Sequence, residues 1–241
     1  MNHAERESLK NDVIVNLDTV SRIYSMGEIQ VEALRGVSLQ INRGEAIGIM
    51  GPSGSGKTTL LNLIGALDRP TSGHVQVDNL DITNMGDKEL TSVRRDKISF
   101  VFQFFNLLPV LSAYENVELP LLISGVEESV RKERVDHLLE LVGLTERADH
   151  RPDQLSGGES QRVAIARALA KPSGSSSSIV VLADEPTGDL DTQTGEDIMK
   201  VLIDLTKGEG GTLIVVTHDP EIGDKMDKVY NMRDGEIVDI I

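Results

Sequence analysis

The chain has 241 residues, enough for one elaborated α/β domain or two small ones, and 39% of them are hydrophobic, as in an ordinary globular protein. Its 39 acidic against 24 basic residues give a net charge of −15, which argues against a nucleic-acid groove and leaves docking to a membrane protein to a local patch. Cysteine is absent, which excludes disulfides and thiolate metal sites. MNHAERESLKND has no apolar signal core, and no run approaches the roughly 20 apolar residues of a membrane span. The expectation is a soluble chain that meets membranes through a partner.

Residues 1–12 read as a flexible tail ahead of a single domain over 13–241. Val13–Leu17 and Val37–Ile41 read as strands, the second by its alternation, with Tyr24 in the polar stretch SRIYSMGE between them. Asn42-Arg43-Gly44-Glu45 is a turn into Ala46–Met50, an uncharged segment suited to a strand buried on both faces. Gly51-Pro52-Ser53-Gly54-Ser55-Gly56-Lys57-Thr58 then meets G-x-x-x-x-G-K-[ST] at each fixed position, and Thr59-Leu60-Leu61 opens a helix expected to end near Leu67. Gly73 leads into a strand at Val75–Asp78; Asp87–Arg95 reads as helix and Ile98–Phe102 as a strand ending at Gln103.

From 104 to 170 the pattern turns helical. Val135, Leu138, Leu139 and Val142 follow i, i+3, i+4, i+7 on a helix that stops at Gly143, and a second helix begins near Gly158 and runs through QRVAIARALA. The low-complexity PSGSSSS (172–178) reads as a tolerated surface loop before the strand Ile179–Ala183, which ends in Asp184-Glu185. Ile198, Val201, Leu202 and Leu205 form another helical stripe, and Leu213–Thr217 is a strand ending at His218-Asp219. Short strands are expected around Tyr230 and Ile237. Strands alternating with helices imply a mostly parallel sheet covered on both faces.

In such sheets ligands bind beyond the carboxyl ends of the strands. Four strands end in chemically apt residues: the phosphate loop after Met50, Gln103, Asp184-Glu185 and His218. If those strands are parallel neighbours, all four ends converge on one nucleotide. Glycines let the loop's N–H groups point at one anion, and the helix adds its positive end. Lys57 can reach the β- and γ-phosphates, and the Thr58 hydroxyl can hold Mg²⁺. Asp184 is placed as a Mg²⁺ carboxylate, Glu185 as the group that activates an attacking water, and His218 as its orienter. His3, His74, His137 and His150 have no such context. Ser156-Gly157-Gly158-Glu159, at a second helix start, is either an ordinary capped helix or a second phosphate site reaching a partner's nucleotide in a two-fold dimer.

Six strings in order then resemble the nucleotide-binding subunit of an ABC transporter, from about Val13 to Val238. GPSGSGKT resembles Walker A, VVLADE Walker B with its glutamate, LSGGE the signature, GDLD (188–191) the D-loop, Gln103 the Q-loop and His218 in VVTHD the switch histidine. The resemblance implies a P-loop NTPase (RecA-like) core with a mostly parallel sheet, an N-terminal antiparallel β subdomain and a helical insertion over about 104–170. It implies ATP held by Gly51 through Thr59, the adenine stacked on Tyr24, and Mg²⁺ at Thr58, Gln103 and Asp184. It further implies a head-to-tail dimer in which Ser156, Gly157, Gly158 and Glu159 complete the partner's ATP site. An integral membrane permease would hold the protein at the cytoplasmic face of the plasma (inner) membrane, with no nucleic acid involved.

LDRPTSG, RRDKISFVFQ, FNLLPVLSAYENVELPL and ADEPTGDLD look like the lipoprotein-release and macrolide-export branch. A non-transport role, such as that of the cell-division ATPases, would look alike in the ATPase itself. The DNA-repair and translation types carry coiled-coil insertions or two cassettes, which these residues do not contain, and LSGGE has no task in a phosphate-loop kinase. Two positions depart from the pattern: Phe104 stands where this branch often has a second glutamine, and Glu159 replaces the usual signature glutamine.

Overall fold

Alternation along three buried strands divides the apolar residues between two cores. In the computed structural model, which describes residues 12–27, 29–171 and 179–241, these strands are β3 (Ala46–Met50), β7 (Val180–Asp184) and β8 (Thr212–Thr217). Ile47, Ile49, Val180, Leu182, Ile214 and Val216 face one side of their sheet, while Ala46, Val181, Ala183, Leu213 and Val215 face the other. Both faces are covered, so the strands carry no polar face.

The sheet has six strands in the order β10-β9-β3-β8-β7-β6, completed by β6 (Ile98–Phe102), β9 (Lys228–Arg233) and β10 (Glu236–Ile240). Every pairing in it is parallel except β9 with β10. A separate antiparallel sheet, β2-β1-β4-β5, is built from β1 (Val13–Met26), β2 (Ile29–Asn42), β4 (Ser72–Val77) and β5 (Leu80–Asp81). Between the two sheets lies the first core, where α1 (Lys57–Ile64) contributes Leu60, Leu61, Leu63 and Ile64 and α2 (Asp87–Lys97) contributes Leu90 and Val93.

On the other face α3 (Ala113–Ile123), α4 (Glu128–Leu141) and α5 (Gly157–Leu169) pack together with α6 (Thr192–Gly208), and the short α7 (Pro220–Gly223) follows β8. The α4 stripe of Val135, Leu138 and Leu139 is buried as expected, and Gly143 takes a left-handed φ of 70° just past the helix end. Among the described residues no helix is long and apolar enough to cross a membrane.

Some boundaries differ from the sequence expectation. The first helix ends at Ile64, short of Leu67, because Gly65 closes it onto the Leu61 carbonyl and Ala66 turns left-handed at φ 54°. β1 and β2 run well beyond their apolar cores to meet at Met26 and Ile29, a hairpin sustained by pairing rather than by apolar residues. Helix α3 has a signal in its Ser112/Glu115 capping box, but Pro120 inside it obscures the pattern. Residues 1–11 of the expected tail and the serine-rich segment 172–178 lie outside the described residues.

Lys171 ties the helical layer to the α2–β6 corner. Its buried Nζ donates to the carbonyls of Arg94, Arg95 and Ile98 at 3.3, 2.6 and 3.0 Å. Burial pushes its ammonium down to about 8 from 10.5. Between those two values the unfolded chain binds the extra proton, so this residue's contribution to stability rises with pH across that window and is flat below it. In urea unfolding, the stability of the native chain relative to Lys171→Met should increase from pH 8 to 10.5. A difference that is constant or falls over that range would contradict the assignment.

Candidate active site

The order β3-β8-β7-β6 makes the four polar-ended strands parallel neighbours, in register from Met50↔Thr217 through Asp184↔Val216 to Phe102↔Asp184. Their carboxyl ends therefore open on one side. A cavity of about 700 Å³ lies there, lined by Ser53, Gly54, Gly56, Lys57, Thr58 and Thr59 from the loop and by Glu185 and His218 from the neighbouring strand ends. Its outer wall is Val31, Glu32, Ala33 and Arg35 of β2 with Asp234 and Gly235.

The loop is compact because its glycines are pressed against other backbone. A Cβ on Gly51 would collide with the Met232 carbonyl, and one on Gly56 would stand 2.5 Å from the Ala33 carbonyl. Gly56, at φ 101°, also lets the chain enter α1 so that its first residues, Lys57, Thr58 and Thr59, line the cavity. Lys57 is buried, and its Nζ donates to the Gly51 and Pro52 carbonyls at 2.8 and 2.9 Å. The Ser55 hydroxyl is buried without a partner. A helix N-terminus, a cation and an orphan hydroxyl suit a polyphosphate.

The Thr58 hydroxyl is close enough to the Asp184 carboxylate to favour its charged form. Burial pushes the Asp184 carboxyl up, with the Glu185 charge adding, against the Thr58 hydrogen bond and Lys57. A hydroxyl and a carboxylate at the mouth of a phosphate site are the hard oxygen donors that Mg²⁺ takes alongside phosphate and water. Among the described residues no group of three or more His, Cys, Asp or Glu could hold a metal, so a cation here would depend on the phosphates.

Glu185 has a left-handed φ of 46° immediately before Pro186, a strained conformation for a non-glycine residue. Its amide donates to the Val216 carbonyl at 2.9 Å, and its Oε2 is 2.8 Å from Nδ1 of the exposed His218. The carboxylate can only accept, so Nδ1 carries the proton and Nε2 remains free.

The other predicted residues lie apart from the cavity. Gln103 Nε2 donates at 3.3 Å to Asp189. Tyr24 does not line the cavity, although it is paired with Val31, which does; its hydroxyl donates to Asp68 at 2.7 Å and the Arg22 guanidinium covers one ring face at 4.4 Å. Ser156 caps α5 with Glu159 in a reciprocal box: the Ser156 amide donates to Glu159 Oε2 at 2.8 Å, and the Glu159 amide to Ser156 Oγ at 3.2 Å. The Ser156 amide holds the Glu159 carboxyl below its usual range, and Arg147 stands 3.4 Å away. Gly157 and Gly158 face Leu190 and Thr194, outside the cavity of their own chain.

Two residues escaped the sequence reading. Fully buried Gln161 donates to the Pro186 carbonyl at 2.5 Å and, more weakly, to Phe102 at 3.4 Å. Arg167 donates to the Phe105 and Asn106 carbonyls at 2.8 and 2.6 Å, both residues being left-handed. The signal for Gln161 was its place with Ile165 and Ala168 on the buried face of α5, where a stripe calls for an aliphatic side chain.

Fold and site together define a phosphate-loop NTPase. The family model described as ABC transporter matches residues 34–188. An ABC transporter ATP-binding protein of Thermotoga maritima is 53% identical over 224 residues, 93% of each chain. The macrolide export ATP-binding/permease protein MacB of Brucella melitensis is 43% identical over 93% of this chain and 34% of its own length. The dimeric post-hydrolysis state of the ATP-binding cassette MJ0796, bound to ADP and Pi, superposes with a TM-score of 0.83 at 46% identity, covering 95% of this chain and 98% of that one. MJ0796 comes from Methanocaldococcus jannaschii. The chain belongs to the ABC transporter family, among its ATP-binding cassettes.

An acid held with a raised pKa weakens the fold once it ionises. Asp184→Asn keeps an acceptor for Thr58 and should raise the thermal midpoint of nucleotide-free protein by a few degrees at neutral pH. That gain should shrink as the pH falls into the ordinary carboxylate range, where the acid is neutral in both states. Calorimetry showing equal or lower midpoints at pH 7 would refute this.

Proposed function

We propose that this chain binds and hydrolyses Mg²⁺-ATP as a subunit of an ABC transporter, in a head-to-tail dimer that drives a membrane permease. The observation that carries the proposal is the convergence of the loop, Asp184, Glu185 and His218 at adjacent parallel strand ends. Unpaired N–H groups of the loop and the α1 N-terminus hold the phosphates, and Lys57 exchanges the Gly51 and Pro52 carbonyls for phosphate oxygens. Bound Mg²⁺, held by Thr58 and Asp184, supplies screening of phosphate charge. The Glu185 carboxylate takes the proton of a water in line with the γ-phosphate, and His218 fixes that carboxylate through Nδ1. As the water oxygen bonds to the γ-phosphorus, the bond from that phosphorus to the β–γ bridging oxygen breaks, leaving ADP and inorganic phosphate, whose departure reopens the site.

Ser156 to Glu159 lie outside their own chain's cavity, which supports their use on a second copy's ATP. The MJ0796 cassette is dimeric in its solved structures, which favours the same association here. Glu159 is turned back into its own helix cap and faces Arg147, which blunts the repulsion its charge would bring to ATP. The exposed Phe104, Leu108 and Val110, next to Gln103, offer an apolar surface for the permease. Similarity to MacB supports the export branch, in which a permease does work at the far side of the membrane.

Glu185→Gln should lower ATP turnover by about 10²–10⁴-fold while leaving ATP affinity intact. It should also enrich an ATP-dependent dimer on gel filtration. Turnover at the native rate would remove Glu185 from the mechanism, and a variant that stays monomeric with saturating ATP would remove the dimer. Affinity capture from native membranes tests the partner: absence of any integral membrane protein would overturn the permease assignment.

A further inference from the structure

The outer wall of the cavity contains a contact that none of the motifs accounts for. β9 and β10 are joined by the two-residue turn Asp234-Gly235, flanked by the pair Arg233↔Glu236. Asp234 and Gly235 have φ of 50° and 84°, both left-handed, as a tight hairpin turn built on Asp-Gly requires. The turn is far from the phosphate loop in sequence, yet the Gly235 amide donates to the Ser55 carbonyl at 3.1 Å. The Gly235 carbonyl in turn accepts from the Arg35 amide of β2 at 2.9 Å. One residue, through its N–H and its C=O, therefore bridges the antiparallel sheet to the phosphate loop.

Close packing allows no other residue in this place. A Cβ on Gly235 would stand 2.9 Å from the Ala33 carbonyl, the same oxygen that a Cβ on Gly56 would meet at 2.5 Å. The Met232 carbonyl, on the strand that leads into the turn, abuts Gly51 at the start of the loop. The loop is thus held at Gly51, Ser55 and Gly56 by backbone from β9, the turn and β2. Its own internal ties are the Ser55 amide to the Pro52 carbonyl at 3.2 Å and Lys57 Nζ to the Gly51 and Pro52 carbonyls, and the Lys57 pair is given up when that side chain turns to phosphate. A loop whose N–H groups must converge on one anion loses affinity when it is free to splay, because the ordering cost then falls on binding.

We infer that Gly235 is a positioning residue for nucleotide binding: its turn clamps the phosphate loop through Ser55 and keeps the anion cradle formed before nucleotide arrives. This rests on the reading of residues 51–58 as the nucleotide's phosphate site. The turn contributes nothing to turnover once ATP is bound, so the effect falls on affinity rather than on the chemical step.

The test is mant-ATP binding to full-length protein, with the thermal midpoint measured alongside. Gly235→Ala should weaken binding about tenfold, the scale of one lost and misaligned backbone hydrogen bond, with the midpoint lowered by only a few degrees and kcat at saturating ATP near native. Two glycines inserted after Gly235 give a second variant, which keeps both strands but carries the amide away from Ser55, and it should weaken binding likewise. Hydrogen exchange on the native chain needs no variant: the Gly235 amide should gain protection with the phosphate loop when ATP is added. Native affinity in either folded variant, or a Gly235 amide indifferent to ATP, would overturn the inference. Failure of the native chain to bind mant-ATP would instead remove the nucleotide reading beneath it.

Discussion

Backbone can approach backbone at Gly51 and Gly56 only because side chains are absent there, and the geometry of the whole nucleotide end follows from that closeness. The Met232 carbonyl abuts Gly51 and the Ala33 carbonyl abuts Gly56, so strands of two different sheets enclose the loop. Neither sheet alone could position it. The six-stranded sheet delivers the loop at the end of β3, and the antiparallel sheet supplies the wall that stops it from relaxing outward. The first hydrophobic core lies between the two and fixes their separation, with α1 filling the space from Leu60 to Ile64.

Within that frame the charges are arranged for work rather than for stability. Lys57 is buried against carbonyls that offer it no formal negative charge, and Asp184 is half-buried with its carboxyl pushed toward neutrality. Glu185 is held left-handed before a proline. Each of these is unfavourable in the nucleotide-free chain, and each would be relieved or used when a polyphosphate and a cation enter. Such local expense is tolerated because the strands beneath, Val180 to Ala183 and Leu213 to Val216, are buried to the last few per cent of their surface.

The helical layer is attached to this centre by a few polar side chains. Gln161 and Arg167, six residues apart on α5, grip the backbone after β7 and after β6. Ser156 and Glu159 cap the same helix. A rigid displacement of α5 would therefore move the segment after Gln103 and the one after Glu185 together. That is the physical content of a connection between the site and the surface bearing Phe104.

Much of the site was legible in the sequence because its signals are local. A loop that must curl needs Gly51, Gly54 and Gly56 at fixed spacing, and a strand buried on both faces must be an unbroken apolar run, which made β3, β6, β7 and β8 readable to within a residue or two. The reach of β1 and β2 and the carbonyl partners of buried Gln161 were not readable, since each is set by segments distant in the chain. Tyr24 was placed by its string alone, and only the fold shows its hydroxyl on Asp68 and its ring under Arg22. Sequence by itself determined which residues are candidates for the chemistry, because the types and spacings a phosphate site calls for are dictated by phosphate and carboxylate geometry. Tertiary structure alone decided which strands are neighbours, and so which of those residues meet, because pairing order depends on contacts between segments far apart in the chain.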